Sequence, residues 1–455
     1  MSDPLVSVVV PARDAERFLA EALASALAQP VALEVLVCDD GSSDGTARIA
    51  ASFAASDPRV RLVRRGRGSG VVAARNALVA AARGCYVAFL DADDVLLPGA
   101  LAAQVDVLER RADVALVHAD AEIIEEGGRE LPPWRRPFAS DVVEDGRAAF
   151  GELLLCNEMF TSTVVVRRSA LAAAGPFVSV GPSSSDWDMW LRLALHGAVA
   201  YRAAPVARYR QHAASISRAA VASGARLRCD ARVVRRALRL LPRIARQDPQ
   251  WSRRARSALA AKALLAAGDF QTRGERRPAL RALALAARMR PDLLQAGLAV
   301  LARAIVAGDD YDAYVVGNAL LDRLAGALVG TRYGGLLADR ASKDPDWEAT
   351  LRRIARTVQA VTPEDAVLGT VTKWDPTLLR LSHRRGRNFP AEVYPPDSAA
   401  AVAHLEQQRA GGLSHLVVPS ASMWWLDHYD GLAERLAAPL HADADCLIFD
   451  LDAAA

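Results

Sequence analysis

Five short apolar runs alternate with four alanine-rich helical patterns over residues 5–118 of this chain. The apolar runs predict strands at residues 5–10, 34–38, 60–63, 85–90 and 114–118, and the patterns between them predict helices at residues 15–28, 44–55, 70–82 and 98–111. Strands that alternate with helices pair in parallel, with the helices covering both faces of the sheet. The predicted fold class is therefore α/β, and ligands are expected at the carboxyl edge of the sheet.

The 455 residues are too many for one compact domain, and the sequence changes character twice along its length. Residues 1–222 are predicted to form a domain with a Rossmann-like, mostly parallel sheet. Residues 223–342 are rich in arginine, alanine and leucine at helical spacing and are predicted to be helical. Residues 343–455 carry three more strand patterns, at residues 366–371, 413–418 and 446–451, and are predicted to form a small α/β domain of unknown role.

Composition excludes several classes of protein. A hydrophobic content of 52% with 24% charged residues argues against wholesale disorder, and a net charge of +3 argues against a general nucleic-acid binder. The five cysteines include no closely spaced pair, which disfavours structural zinc and a disulfide framework. The sequence shows neither a signal peptide nor an apolar run long enough to span a membrane, so we expect a cytoplasmic protein.

Three carboxylates gather in residues 89–94, which read FLDADD and follow directly on a predicted buried strand. Because burying an unpartnered carboxylate is costly, these side chains are expected to face solvent, a cation or a polyhydroxyl ligand. Mg²⁺ and Mn²⁺ prefer oxygen ligands and usually take one or two protein carboxylates together with phosphate oxygens. The run therefore predicts a site that holds a divalent cation and a diphosphate.

Two further segments carry carboxylates, one after a predicted strand and one among aromatic residues. Residues 39–46, DDGSSDGT, follow the strand pattern at 34–38, and residues 185–190, SDWDMW, place carboxylates among aromatic rings. Taken alone, residues 39–46 also fit a capped turn that enters a helix. Two acidic loops at strand ends of one sheet, with a third acidic segment downstream, favour a functional site.

The order and spacing of these motifs resemble those of the family 2 glycosyltransferases. The matching segments are residues 7–11 (SVVVP), 38–46 (CDDGSSDGT), 70–76 (GVVAARN), 89–94 (FLDADD) and 186–192 (DWDMWLR). The resemblance covers roughly residues 5–218. It implies the GT-A fold and the transfer of a sugar from a nucleotide-sugar donor, with inversion at the anomeric carbon.

The resemblance also implies roles on the donor side. Asp40 would hydrogen-bond the base, typically uracil, with Pro11 beside it, and Arg75 lies in a motif of the nucleotide site. Asp91 would face the ribose. Asp93 would bind the divalent metal, Mn²⁺ or Mg²⁺, that bridges the diphosphate.

On the acceptor side, the resemblance implies that Asp186 is the general base. A sugar hydroxyl is a poor nucleophile, and removing its proton as the bond forms accelerates the reaction. Ser185 stands where the family commonly has an acidic residue, so Asp188 stays open as an alternative base. Trp187 and Trp190 are candidates for contact with the acceptor.

Residues 209–212, YRQH, with two serines shortly after them, resemble the closing loop of the family. His212 would complete the metal site or contact the pyrophosphate, since imidazole is an acceptable ligand for Mn²⁺. A histidine hydrogen-bonded in a surface loop is an equally open interpretation.

Eleven arginines and only two acidic residues lie between Arg226 and Arg256. A solvated helical face is the commonest outcome for such a charge run. Peripheral contact with anionic lipid at the inner face of the membrane is a second interpretation, which would suit a lipid-linked acceptor. Nucleic acid is disfavoured by the near-neutral whole chain, so the predicted partners are a nucleotide-sugar donor and a saccharide or lipid-linked acceptor.

Residues 389–390, 395–398, 416–419 and 424–429 resemble a module appended to bacterial polysaccharide-type glycosyltransferases. The aromatic cluster at 424–429, WWLDHY, fits either a sugar-stacking platform or the core of a small domain, and we favour the core. The leading hypothesis is an inverting glycosyltransferase that builds a bacterial surface polysaccharide or glycoconjugate.

Two other classes of protein remain as alternatives. Sugar nucleotidyltransferases also use acidic metal sites on α/β sheets, but they generally carry a glycine-rich, basic loop that residues 11–16 lack. A catalytically impaired binding or scaffold protein would keep the same fold. The intact carboxylates argue against that class, whereas Ser185 leaves it open.

Overall fold

The computed structural model describes residues 4–63, 68–131, 137–240, 249–307, 310–341, 345–371, 378, 382, 384–389, 395, 397–436 and 438–452. The chain forms two compact units, Met1–Ala255 and Arg256–Ala455. The borders expected at residues 222 and 342 stay predictions.

A nine-stranded sheet lies at the centre of the described part of the first unit. Its strands are β1 (Val6–Ala12), β2 (Leu33–Asp39), β3 (Val60–Leu62), β4 (Tyr86–Phe89), β5 (Val95–Leu96), β6 (Val114–Glu125), β7 (Val142–Glu144), β8 (Val165–Arg167) and β9 (Ala198–Gln211). Their order is β3-β2-β1-β4-β8-β6-β9-β5, and β7 pairs with β9. Strands β3, β2, β1 and β4 are parallel, so their carboxyl ends share one edge.

Helices connect and flank these strands. They are α1 (Leu19–Leu27), α2 (Thr46–Ser56), α3 (Val71–Ala81), α4 (Ala100–Arg110), α5 (Gly146–Leu153), α6 (Arg168–Ala174), α7 (Ser185–Leu193), α8 (Ile216–Ala222) and α9 (Ala225–Leu240). In α1, Leu19 and Leu23 recur at helical spacing, are fully buried and join the core with Val8 and Val10 of β1. The predicted α/β class with a Rossmann-like sheet is confirmed in this unit.

The sequence of residues 160–167 predicts one buried strand, and this prediction is wrong in its first half. Residues Thr161–Thr163 form a 3₁₀ turn, and β8 begins only at Val165. The hydroxyl of Thr163 donates to the carbonyl of Phe160 at 2.9 Å, a local bond that competes with strand pairing. The turn brings Ser162 beside the carboxyl end of β4, where its hydroxyl accepts from the main chain of Asp91 at 3.0 Å.

Glu34 of β2 is buried, and its carboxylate ties three segments of the first unit together. It accepts hydrogen bonds from the hydroxyl of Ser7 at 2.7 Å and from the main-chain nitrogen of Arg83 at 2.8 Å, and it pairs with Arg61. Burial raises the pKa of Glu34, but these hydrogen bonds outweigh burial and hold the pKa below its ordinary value of 4.5. A lowered folded-state pKa stabilises the fold above the unfolded-state pKa, and this contribution is lost as the pH falls through the folded-state pKa.

We therefore expect Glu34→Gln to lower the free energy of unfolding at neutral pH by about 1–2 kcal/mol. The difference from the wild type should shrink as the pH falls below 4.5. Urea denaturation of both proteins at neutral and acidic pH checks this. A difference that is independent of pH would contradict the assigned role of the ionised carboxylate.

In the second unit, helices precede and flank a small sheet. The helices are α10 (Pro249–Thr272), which begins in the first unit, α11 (Arg276–Met289), α12 (Ala299–Ala307), α13 (Asp310–Gly326), α14 (Arg332–Ala341), α15 (Pro345–Val361), α16 (Ser398–Ala410), α17 (Trp424–His428) and α18 (Asp430–Arg435), with a π-helical turn at Leu294–Leu298. The strands are β10 (Val367–Thr370), β11 (Arg385–Asn388), β12 (His415–Pro419), β13 (His441–Ala442) and β14 (Cys446–Asp450), in the order β11-β10-β12-β14-β13.

Two rings of the C-terminal aromatic cluster belong to the core of this second unit. Trp425 and Tyr429 are each 2% exposed, and their ring centroids lie 4.7 Å apart. Core packing is therefore confirmed for these two residues. Among the described residues, no helix combines the length and the apolar character that a membrane crossing requires.

Candidate active site

Three predicted site residues meet at the carboxyl edge of the parallel strands. Pro11 of β1 lies opposite Cys38 of β2 in the parallel register, and Asp40 directly follows β2. Strand β4 pairs with β1 on its other side, and Asp91 follows β4 by two residues. The fold therefore brings Pro11, Asp40 and Asp91 to the same edge.

The carboxylate of Asp40 is engaged in the loop that precedes α3. Asp40 is 2% exposed, and its Oδ1 accepts from the main-chain nitrogen of Ser69 at 2.9 Å and from the Ser69 hydroxyl at 3.0 Å. Its Oδ2 accepts from the nitrogen of Gly70 at 2.7 Å. Gly70 has a φ of 85°, a conformation that favours glycine. In this structure Asp40 thus organises the loop that leads to Arg75, and its bond to a base stays a prediction.

Arg75 of α3 is a buried cation surrounded by carboxylates. Its Nη2 lies 2.7 Å from Oδ1 of Asp91. Burial lowers the pKa of Arg75, but the surrounding carboxylates raise this pKa above its ordinary value. Those carboxylates are Asp91, Asp186 and Asp93. Burial also raises the pKa of Asp91, and the attraction of Arg75 offsets only part of that rise.

Asp93 is paired with His212, which follows β9. The Oδ2 of Asp93 lies 2.9 Å from Nε2 of His212, and the two side chains are 29% and 12% exposed. Arg210 donates from Nε to the main-chain oxygen of Asp93 at 2.9 Å and from Nη2 to Glu21 at 2.7 Å. The segment predicted as a closing loop therefore contacts the acidic run directly.

Asp94 anchors the acidic run (residues 89–94) to two other segments of the first unit. It is 1% exposed, its Oδ2 accepts from the Ser162 hydroxyl at 2.6 Å, and its Oδ1 accepts from the main-chain nitrogen of Arg210 at 2.9 Å. Burial and repulsion by Asp93 and Asp91 raise the pKa of Asp94 well above its ordinary value. Asp94 is thus committed to the loop, whereas Asp91 and Asp93 keep exposed surface for a ligand.

Asp186 lies in the first turn of α7, where the positive end of the helix dipole stabilises a carboxylate. Its Oδ2 lies 3.3 Å from Nδ2 of Asn157 and 3.3 Å from the hydroxyl of Thr161. Asp186 also interacts electrostatically with Arg75, the partner of Asp91. The third acidic segment of the sequence therefore joins the same site as the acidic run.

Asp188, the alternative base, is 2% exposed and lies between two guanidinium groups. Its Oδ2 is 3.0 Å from Nε of Arg192, and its Oδ1 is 2.8 Å from Nε of Arg236. Neither oxygen is left to take a proton from an acceptor. Of the two candidates, the geometry favours Asp186.

The indole rings of Trp187 and Trp190 are both 0% exposed. Nε1 of Trp187 donates to the carbonyl of Leu153 at 2.6 Å, and Trp190 packs edge-on against Phe89 with ring centroids 5.4 Å apart. Both rings are on the buried side of α7 and belong to the core. Contact with an acceptor would require them to become exposed.

The groups around Asp93 fit a hard divalent cation. Carboxylate oxygen and imidazole nitrogen are acceptable ligands for Mn²⁺, and carboxylate oxygen suits Mg²⁺. Burial and repulsion among the neighbouring carboxylates raise the pKa values of Asp91 and Asp94. A cation that also binds a diphosphate needs only one or two protein ligands, so the pair of Asp93 and His212 is sufficient.

A second cluster of metal-ligating side chains lies in the second unit. Within the described residues, His441, Asp443 and Cys446 are the group of three whose ligand atoms lie within 4.8 Å of one another. Asp443 already accepts from the main-chain nitrogens of Asp445 and Cys446 at 2.8 Å and from His441 at 2.8 Å. Burial raises the pKa of the Cys446 thiol to about 12, which disfavours the thiolate that a metal needs. We assign no metal to this cluster.

Sequence reasoning missed four residues that shape the site, which are Asn157, Thr161, Ser162 and Arg210. Asn157 and Thr161 contact Asp186, and the other two hold the acidic run. The position of Arg210 inside the YRQH segment was a usable signal. Asn157 precedes the segment 160–167, which the sequence predicts to be one strand, and Thr161 and Ser162 lie within it. No sequence signal distinguishes these three residues from their neighbours.

The family model described as Glycosyl transferase family 2 matches residues 7–160. Chondroitin synthase of Escherichia coli is 36% identical over 194 residues, which make up 42% of this chain and 26% of that protein. The UDP-Glc:alpha-D-GlcNAc-diphosphoundecaprenol beta-1,3-glucosyltransferase WfgD of Escherichia coli is 29% identical over 194 residues, covering 42% of this chain and 71% of that protein. EpsE of Bacillus subtilis (strain 168), named as a candidate glycosyltransferase, is 33% identical over 199 residues, covering 42% of this chain and 67% of that protein.

The chain therefore spans about a quarter of the chondroitin synthase and about two thirds of EpsE. The matched family region contains all but the first residue of β1, the strands β2 and β4 and the carboxylates that follow them, and it ends before Asp186. From this match and the likeness to EpsE, the chain belongs to glycosyltransferase family 2.

Proposed function

We propose that the first unit transfers a sugar from a nucleotide-sugar donor, UDP-linked, to an acceptor hydroxyl with inversion at the anomeric carbon. The product belongs to a bacterial surface polysaccharide or glycoconjugate. One observation carries the proposal: the buried Arg75 pairs with Asp91 at 2.7 Å, and the nearby carboxylates of Asp186 and Asp93 also raise its pKa. This arrangement joins a place for a cation and a diphosphate to a carboxylate that can act on an acceptor.

On the donor side, Asp91 would hold the ribose, and Asp93 with His212 would hold Mn²⁺ or Mg²⁺. When bound, the cation would stabilise the charge that develops on the departing diphosphate. Nε of Arg75 is buried and has no hydrogen-bond partner among the described residues. An unsatisfied cationic donor next to Asp91 supports the placement of an anionic ligand at this point.

On the acceptor side, Asp186 would take the proton from the attacking hydroxyl as the new glycosidic bond forms. Asn157 and Thr161 would orient its carboxylate through the contacts described above. The electron pair of the broken sugar–phosphate bond leaves with the diphosphate. Attack on the face opposite the departing diphosphate inverts the anomeric carbon, so a single base is sufficient.

Peripheral contact with a membrane through the stretch from Arg226 to Arg256 forms part of the proposal. Arg228, Arg239 and Arg253 are exposed, while residues 241–248 lie outside the described residues. Basic residues near an anionic surface contribute ~1 kcal/mol each. The relative WfgD is named for an acceptor linked to diphosphoundecaprenol, which supports a lipid-linked acceptor for this chain as well.

A panel of UDP-, GDP- and dTDP-sugars tests the proposal, with Mn²⁺ present and release of the nucleoside diphosphate as the readout. We expect turnover of a UDP-sugar and, by NMR of the product, an inverted anomeric configuration. Acceptor presented in anionic vesicles should react faster than acceptor in neutral vesicles. Formation of a sugar nucleotide from a sugar phosphate would instead identify a nucleotidyltransferase, and donor binding without turnover would identify a binding protein.

A further inference from the structure

The arginine-rich helix α9 packs against α7, the helix that carries Asp186. One face of α9 is buried in the first unit, and the residues on it are Cys229, Asp230, Val233, Val234 and Ala237. Arg235 and Arg239 lie on the exposed side. The charge run therefore has two faces, and only one of them is a solvated surface.

Helix α9 also contacts the loop that leads into α7, partly through the exposed Arg232. Nη1 of Arg232 donates to the carbonyl of Val180 at 3.0 Å. Gly181 approaches α9 so closely that a Cβ atom there would lie 2.5 Å from Sγ of Cys229. The loop before α7 is thus held against α9 at two consecutive residues.

The next contact lies directly before Asp186. Ser184 has a φ of 67°, a conformation that non-glycine residues adopt only when their surroundings enforce it. Its hydroxyl donates to Oδ1 of Asp230 at 2.8 Å, and the same oxygen pairs with Nε of Arg226 at 3.2 Å. Asp230 is 4% exposed, so this anchor is buried.

The last contact fixes the rotation of α7 about its axis. Arg236 pairs with Asp188 at 2.8 Å, so the Asp188 side of α7 is turned towards α9. Residues two positions apart in an α-helix, such as Asp186 and Asp188, lie about 200° apart around its axis. Asp186 therefore lies on a different side of α7 from Asp188, where it contacts Asn157 and Thr161.

Resting on the proposed role of Asp186 as the base, we propose that Arg236 and Asp230 are positioning residues that hold Asp186 in its reactive orientation. They act through Asp188 and Ser184 and touch neither donor nor acceptor. Arg226 pairs with Asp230 at 3.2 Å; burial lowers its pKa, but the carboxylates of Asp230 and Asp186 raise it above its ordinary value. The inner arginines of α9 thus serve the acceptor side of the site.

Adjacent arginines of α9 provide a matched pair of variants. Arg236→Gln removes the contact with Asp188, and Arg235→Gln makes the same chemical change on the exposed side of the same helix. A displacement of ~1 Å at a reacting group can cost on the order of 10²-fold in rate. We therefore expect Arg236→Gln to lower kcat by about 10- to 100-fold, with KM for the donor and Kd for UDP with Mn²⁺ unchanged. Arg235→Gln should match the wild type, and Arg236→Lys should recover part of the lost kcat.

Ser184→Ala is the second variant, because it removes only the hydroxyl that donates to Asp230 and retains the Cβ atom. It should also lower kcat without weakening UDP binding, and it decides the question if circular dichroism shows that Arg236→Gln does not fold. A purely structural role would lower the melting temperature and leave kcat of the folded protein unchanged, which would overturn the inference. The proposed function fails separately, if the wild type itself turns over no donor.

Discussion

Asp186→Asn is expected to abolish sugar transfer while leaving donor binding near that of the wild type. An amide cannot accept the proton of the acceptor hydroxyl, and loss of a general base typically costs ~10²–10⁴-fold in rate. Asparagine has nearly the same shape as aspartate, and the α7 anchors at Ser184 and Asp188 remain in place. UDP release at saturating donor and acceptor measures the loss.

Asp188→Asn provides the contrast, because Asp188 is the neighbouring carboxylate on the same helix. It is buried between Arg192 and Arg236, and removing one partner of a buried ion pair costs about 3–5 kcal/mol. We expect this variant to lose stability in urea denaturation, whereas Asp186→Asn should unfold at the same urea concentration as the wild type. Full transfer activity in Asp186→Asn would show that Asp186 is not the general base.

Asp93→Asn is expected to abolish donor binding that depends on a divalent metal. The substitution removes the carboxylate charge that faces His212 and that would bind Mn²⁺ or Mg²⁺. Without the cation, no positive charge at Asp93 would offset the charge of the diphosphate. The rise in melting temperature that UDP with Mn²⁺ gives the wild type should be absent in Asp93→Asn.

Asp106→Asn is the control for this variant. Asp106 is a half-exposed carboxylate of α4 that pairs with Arg110 on the same helix. It changes the net charge of the first unit by the same amount, so it should keep the full Mn²⁺-dependent response to UDP. A full response in Asp93→Asn as well would place the metal elsewhere.

The parallel half of the first sheet could be predicted from sequence because its signals are local. Apolar runs that end in acidic loops, as at residues 85–94, mark both the strand and its carboxyl edge, and parallel pairing then brings Asp40 and Asp91 together. The approach of Asp186 to this edge was implied by the family resemblance. Neither step required knowledge of contacts between distant side chains.

The supports of the site could not be predicted because they depend on such contacts. Ser162 meets Asp94 across 68 positions of the chain, and Arg210 meets Asp93 across 117. The segment at 160–167 resembled one strand, since its sequence pattern does not reveal a tight turn at its start. The sequence suggested that the arginines of α9 form a solvent-exposed face, because sequence alone did not show that Arg236 pairs with the buried Asp188.

We propose that Asp93 serves the donor and Asp186 serves the acceptor. Isothermal titration of UDP in the presence of Mn²⁺ into the wild type, Asp93→Asn and Asp186→Asn tests this division directly. We expect UDP to bind to the wild type and to Asp186→Asn with the same affinity, and to show no measurable binding to Asp93→Asn. An equal loss of binding in both variants would contradict it.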